Sequence, residues 1–252
     1  MQQLISIIIP IYNRVELLTP VLDSIKNQTY KNIEVIIVDD GSTQIIPTGH
    51  QYPLINHKSE IINQLIRQEN KGAPSARNRG LEEARGEYVI FWDADVIGRP
   101  DMLEKMYNAL QENEDVSYSY CNHISYIIYH ISKKMSARKF DESKLRENNY
   151  IHSTSLIRRK DVIAWDESLK RFQDWDLWLT MAEQGKNGIW IDEYLFTVLG
   201  GGTMSGWLPR IAYRVPFKWL PGIFQKVRQY EKAREIIKQK HSNQLLRSNL
   251  SA

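Results

Sequence analysis

Two carboxylates separated by one small residue, Asp93 and Asp95, follow directly on the apolar run Tyr-Val-Ile-Phe-Trp at 88–92. Acids this close repel each other, and a divalent cation relieves the repulsion. An oxygen-only ligand set suits Mg2+ or Mn2+ and leaves coordination positions for substrate phosphate oxygens. The same residues would also serve as a helix cap or an exposed turn, where Asp is common. A second acidic pair, Asp39 and Asp40, ends another apolar run at 33–38. A third acidic stretch, Gln173-Asp174-Trp175-Asp176, opens a segment with helical spacing of apolar residues. A carboxylate there gains from the helix dipole whether it caps or catalyses. Residues 70–80 carry small side chains ahead of a helix, which suits either phosphate on free N–H groups or tight packing on a sheet.

These residues need a framework that brings them together. The β-branched run at 6–12 reads as a first strand, and Asn13 as the cap of a helix running to about residue 28 with Pro20 in its early turns. Residues 33–38 and 88–92 read as strands buried on both faces, and 61–67 as another. Residues 43–60, with Pro47, Gly49 and Pro53, read as a loop insertion. A helix over 101–113 and strands at 116–120 and 153–159 follow, the last of them at a sheet edge. Residues 131–149 read as a polar, basic loop, and 189–198 as two short strands parted near Asp192 and Glu193. Strands alternating with helices predict an α/β fold with a mainly parallel sheet. Such sheets bind ligands in the crevice at their strands' carboxyl ends, where Asp39, Asp93 and Asp95 are expected.

The chain has 252 residues, room for one large α/β domain with appendages. Its apolar and charged fractions are those of a soluble globular protein. The one cysteine, Cys121, forms no intramolecular disulfide, which fits a reducing compartment. No run of about 18 apolar residues predicts a membrane span, and Pro10 interrupts the first apolar run, unlike a signal peptide. Net charge is +3, and no nucleic-acid partner is expected from it. From residue 206 onward, however, ten Lys and Arg stand against two Glu, a net of +8, and the remainder carries −5. Aromatic residues interleaved with cations over 206–228 suit contact with an anionic membrane surface. They suit equally an amphipathic helix packed on the body. The expected division is a domain at 1–205 and a basic helical tail at 206–252.

Five stretches in this order resemble the family 2 glycosyltransferases, which have the GT-A fold. They are Ser6-x-Ile-Ile-Pro-x-Tyr-Asn13, Val38-Asp-Asp-Gly-Ser42, Asn70-x-Gly-x-x-x-Ala-Arg-Asn-x-Gly80, Asp93-x-Asp95 and Gln173-Asp-Trp-Asp-Leu-Trp178. The resemblance implies transfer of a sugar from a nucleoside diphosphate donor, by analogy a UDP-sugar, to an acceptor hydroxyl with inversion. By the same resemblance Asp39 meets the nucleobase, while Pro10, Tyr12 and Asn13 line the base and ribose pocket. Arg77 reaches base or phosphates, Asp93 contacts ribose and metal, and Asp95 binds Mn2+ or Mg2+. Asp174 is the implied general base, with Asp176 as fallback and Gln173 beside the acceptor. A saccharide or lipid-linked saccharide acceptor at the cytoplasmic face, in surface polysaccharide or glycolipid synthesis, completes the expectation. Segments 121–150 and 199–215 are expected to form its site.

The sequence departs from the family pattern at two places. Gln173 stands where a Glu is usual, and Leu199-Gly-Gly-Gly-Thr-Met-Ser205 lacks a His near the diphosphate. The six histidines, 50, 57, 123, 130, 152 and 241, read as solvated or structural. No G-x-G-x-x-G follows the first strand, against a nicotinamide enzyme. The remaining alternative is a catalytically inactive nucleotide-binding scaffold.

Overall fold

The computed structural model describes residues 2–44, 62–128, 131–200 and 223–250. Its first half is built on three strands buried on both faces, with a more exposed strand at the edge. β1 (Ile5–Ile11), β2 (Ile33–Asp39), β3 (Ile62–Arg67) and β4 (Tyr88–Phe91) lie parallel in the order β3-β2-β1-β4, with β3 as the exposed edge. Ile5, Ile7, Ile9 and Ile11 of β1 point to one core, and Ile8 to the other, so the run must be apolar throughout. α1 (Val15–Lys26) covers the first face and α2 (Ala73–Glu83) the second. Asn13 does not cap α1. It adopts a left-handed φ of 50°, Arg14 takes the cap position, and the Asn13 side chain turns outward to the Thr43 backbone N–H at 2.8 Å.

The second half is mixed. After β5 (Val96–Gly98) and α3 (Met102–Glu112) comes β6 (Tyr118–Ile128), longer at its carboxyl end than the expected strand. β7 (Ile131–Met135) pairs only with β6, antiparallel. α4 (Glu142–Glu147) follows, so the polar stretch read as a loop contains two elements. Its charges sit on exposed faces, and α4 is closed by the Asp141 carboxylate accepting the Lys144 N–H at 3.1 Å. β8 (Leu156–Arg158) is not an edge strand. It lies between β4 and β6, antiparallel to both. β9 (Gly188–Val198) is one continuous strand rather than two, parallel to β6 and antiparallel to β5. The break expected at Asp192 and Glu193 is a bulge: Cys121 pairs with Ile191, and Asn122 with Tyr194.

α5 (Gln173–Glu183) buries Trp175, Leu177, Trp178 and Met181, with the Trp178 ring 4.7 Å from that of Tyr118. α6 (Ile223–Leu250) packs against it through buried Val227, Ile237 and His241. The stretch expected to lie on a membrane falls mostly at 201–222, outside the described residues, as does most of the expected loop 43–60. From Val227 onward, the packed-helix alternative is the one observed. No helix among the described residues is long and apolar enough to cross a membrane.

One glycine fixes how close α2 comes to the sheet. A Cβ on Gly80 would lie 2.4 Å from the Ile8 Cγ2 methyl. Alanine gains up to about 1 kcal/mol in a helix interior, whereas overpacking a core costs about 1–3 kcal/mol. Gly80→Ala is therefore expected to destabilise the protein by about 1–2 kcal/mol in urea denaturation. Unchanged or higher stability would show that α2 does not sit this tightly on β1.

Candidate active site

The parallel strands β1, β2 and β4 run in the same direction, so their carboxyl ends share one rim. Above it opens a cleft of about 1310 Å3, lined by Pro10 near the end of β1 and Tyr12 just after it, Asp93 and Asp95 after β4, Arg77 from α2 and Asp174 from α5. Six of the ten residues singled out in the sequence thus meet in one place. Tyr12 is 44% exposed and leaves its ring face on the rim.

The stretch 76–80 accounts for the geometry residue by residue. Ala76 and Gly80 let α2 approach the sheet. Arg77 reaches across to Asp93, Nη2 to Oδ1, at 2.6 Å. Asn78 exchanges two hydrogen bonds with the backbone of Trp165, donating to its carbonyl and accepting its N–H. Trp165 then lies under the Arg77 guanidinium, 4.4 Å from ring centroid to Cζ, and its ring meets Phe91 edge-on. The cation is gripped between an aromatic face and a carboxylate.

Asp93 and Asp95 consequently differ in acidity. Asp93 accepts from Arg77 and from Ser153 Oγ at 2.7 Å. Burial alone would raise its pKa, but Arg77, His152 and these hydrogen bonds hold it below the ordinary value. Asp95 has no such partner. Burial first, then the charge of Asp93, pushes its pKa up to about 6.

His152 links this pair to Asp174. Its Nδ1 accepts the Thr154 N–H at 3.0 Å, which assigns the proton of the neutral ring to Nε2. Burial lowers its pKa, opposed by the charges of both Asp93 and Asp174. His123 lies beside it, rings 4.8 Å apart, and stacks on Phe196 at 5.0 Å. Burial depresses the His123 pKa to about 3, keeping that ring neutral. Asp174 accepts from Asn149 Nδ2 at 2.7 Å. Burial raises its pKa against the opposing pull of His152, the Trp175 N–H and Arg77. His152 and His123 line the cleft. Sequence reasoning passed over both, since a lone histidine carries no spacing signal.

The other four residues sit elsewhere. Asp176 is 4% exposed and faces α6, its Oδ1 2.7 Å from Lys240 Nζ and 2.9 Å from His241 Nε2. As fallback base it is corrected: positions two apart on a helix point to different sides, so Asp174 meets the cleft and Asp176 the protein interior. Gln173 is buried and donates to the Leu169 carbonyl, away from the cleft lining. Asp39 accepts the Ser42 N–H at 2.9 Å and lies 3.4 Å from Arg67, while Asn13 donates its N–H to Ser42 Oγ. Asn13 and Asp39 brace the turn beneath Tyr12 rather than lining the cleft. Asp40, not singled out, does line it. Its carboxylate accepts the N–H groups of Lys71 and Gly72 at 2.9 and 2.8 Å, so those amides ahead of α2 are filled from within.

Residues 6–164 match the family described as Glycosyl transferase family 2. The chain belongs to that family. YwdF, a glycosyltransferase of Bacillus subtilis, is 31% identical over 188 residues, covering 71% of this chain and 68% of that protein. The glycosyltransferase GlyG of Streptococcus pneumoniae is 39% identical over 115 residues, covering 45% and 37%. Two of these shares frame the comparison: the chain spans between about a third and two thirds of its relatives' lengths. Among solved structures, S. aureus TarS 1-349 with UDP-GlcNAc superposes with a TM-score of 0.65 at 20% identity, over 81% of this chain and 61% of that one. The Pyrobaculum calidifontis mannosyltransferase PcManGT, in complex with GDP-Man and Mn2+, gives 0.62 at 21% identity over 82% and 60%. At such identities the shared property is the fold, and it is the GT-A arrangement. The family match ends ten residues before Asp174.

The donor set of this glycosyltransferase suits a hard divalent cation. Among the described residues no ion pair neutralises the Asp95 carboxylate, whereas Asp93 is paired with Arg77. Among the described residues no group of three or more His, Cys, Asp or Glu side chains converges as a metal cage. Two carboxylates at most, with the remaining positions left to other oxygens, is the pattern of a cation shared with substrate phosphates.

The Asp95 shift has a measurable sign. Its pKa is about 6 in the folded state against about 4 unfolded, so the folded protein binds the proton more tightly. That contribution to stability is present below pH 4 and lost as pH rises through 6. Asp95→Asn should therefore be more stable than wild type by up to about 3 kcal/mol at pH 8 without divalent metal, with the gap closing near pH 4. Urea denaturation across this range in chelator decides it, and a pH-independent gap would refute the assignment.

Proposed function

We propose that the chain moves a glycosyl group from a nucleoside diphosphate sugar to an acceptor hydroxyl, with inversion at the anomeric carbon. The observation that carries this is one cleft holding the Asp93 and Asp95 pair together with Asp174, and His152 within electrostatic reach of both sides. Pro10 and Tyr12 suit a nucleobase, the Tyr12 ring stacking on it. Asp39 and Asn13 support that rim from beneath. Arg77 holds Asp93 ionised and fixed.

A divalent Mn2+ or Mg2+ bound by Asp95 and Asp93 would stabilise the negative charge that gathers on the departing diphosphate. The chain's own part is to remove a proton. As the acceptor oxygen bonds to the anomeric carbon, its proton passes to a carboxylate oxygen of Asp174. The bond to the diphosphate breaks with its electron pair staying on the phosphate oxygen. A raised pKa makes Asp174 a stronger base, and Asn149 holds its orientation. His152, neutral with its proton on Nε2, adds a donor without adding charge. The proposed setting is the cytoplasmic face, with UDP as the likeliest nucleotide by fold analogy to the UDP-GlcNAc and GDP-Man complexes, narrowed by the family resemblance.

Asp174→Asn is expected to lower kcat for transfer by about 10²–10⁴ while nucleotide affinity by calorimetry changes little. The acid limb of the wild-type kcat profile should lie above the ordinary carboxylate value near 4. Asp176→Asn, which removes one of the two acids that Lys240 and His241 each contact, should cost stability and leave that limb in place. Undiminished transfer by Asp174→Asn would overturn the assignment.

A further inference from the structure

We propose that the acceptor carries an anionic group, a phosphate or a carboxylate, beside the hydroxyl that receives the sugar; this rests on the reading of Asp174 as base. That base fixes where the accepting hydroxyl must sit, and the wall around it is cationic. Lys133 and Lys134 of β7, Arg138 after it and Arg234 of α6 all line the cleft on this side. Among the described residues of that wall, Glu231 is the one acid against these four cations.

The two arginines are fastened to the segment that orients the base. Arg138 lies over the Tyr150 ring at 5.6 Å, and its own carbonyl accepts the Tyr120 hydroxyl at 2.7 Å. Arg234 donates from Nη2 to the Glu147 carbonyl at 2.9 Å. Its Nε is buried without a hydrogen-bond partner. Glu147 and Tyr150 bracket Asn149, and Asn149 holds Asp174. Both guanidiniums are thus tied to the same short stretch as the base, from opposite elements. Lysines on an exposed edge strand also deter edge-to-edge pairing, which accounts for Lys133 and Lys134 without any ligand. It does not account for Arg138 and Arg234, which lie on no strand edge and are anchored to neighbouring rings and carbonyls. Guanidinium forks match the paired oxygens of phosphate and carboxylate. Arg77 is already paired with Asp93, and the Asp93 and Asp95 pair is where the donor's diphosphate is expected, so these four cations are left for the acceptor.

The test measures nucleoside diphosphate release, from a nucleotide sugar the enzyme hydrolyses, with matched acceptors. Glucose is compared with glucose 6-phosphate and with glucuronate, and glycerol with glycerol 3-phosphate. The anionic member should be preferred in kcat/KM by about tenfold or more, with the preference shrinking as salt screens it. In Arg138→Gln and Arg234→Gln the ratio of anionic to neutral acceptor should fall towards one. Because it is a ratio, general loss of folding lowers both numbers and leaves it intact. Stronger preference for phosphate or for carboxylate identifies the group. Neutral acceptors serving equally well, a ratio preserved in both variants, or variants that weaken donor affinity instead would overturn the proposal. Absence of nucleoside diphosphate release from every nucleotide sugar, with and without acceptor, would sink the glycosyl-transfer reading itself, and this inference with it.

Discussion

The site depends on how one guanidinium is held. Arg77 is held against Asp93, because Trp165 closes its other face and Asn78, the next residue of the same helix, pins the Trp165 backbone. A nearly buried cation in contact with a carboxylate settles which of two neighbouring acids gives up its proton first. Asp93 is ionised early, and Asp95 is left with the repulsion. An asymmetric pair of this kind is a poor structural ion pair and a good receptor for a cation, since the unrelieved charge remains available.

Much of this was legible in the chain. β1, β2 and β4 are recognisable as runs too apolar to have a wet face, and their endings in Asp and Tyr locate the rim. What the sequence hid has identifiable causes. β7 and α4 are short, polar and exposed, so neither apolar period nor length marks them. β8 was read as an edge because three residues of core strand look alike in the middle or at the margin; only its antiparallel insertion between β4 and β6 decides. His152 and His123 reach the cleft through tertiary placement that no spacing rule encodes. Asp176 is the opposite case: the two-residue offset from Asp174 already placed it on another side of α5, and motif position outweighed helical geometry.

The C-terminal helix is attached to the same element that bears Asp174. His241 bridges Asp176 at 2.9 Å and Glu183 at 3.0 Å, and Lys240 joins Asp176 to Asp166. Two acids about two turns apart on α5 are thereby answered by two adjacent residues of α6, with Ile237 buried just before them. Removing one member would strand a buried charge. The basic excess of the tail is therefore partly consumed inside the molecule, and Arg234 shows that the same helix also faces the cleft.

Asp40 carries one consequence of a different sort. By seating its own carboxylate on the Lys71 and Gly72 amides, the protein occupies a berth that glycine-containing loops elsewhere leave vacant for a nucleotide. A mobile anion can gain those amides only by evicting a residue of the chain itself. The amides of this loop are consequently satisfied by the chain's own carboxylate.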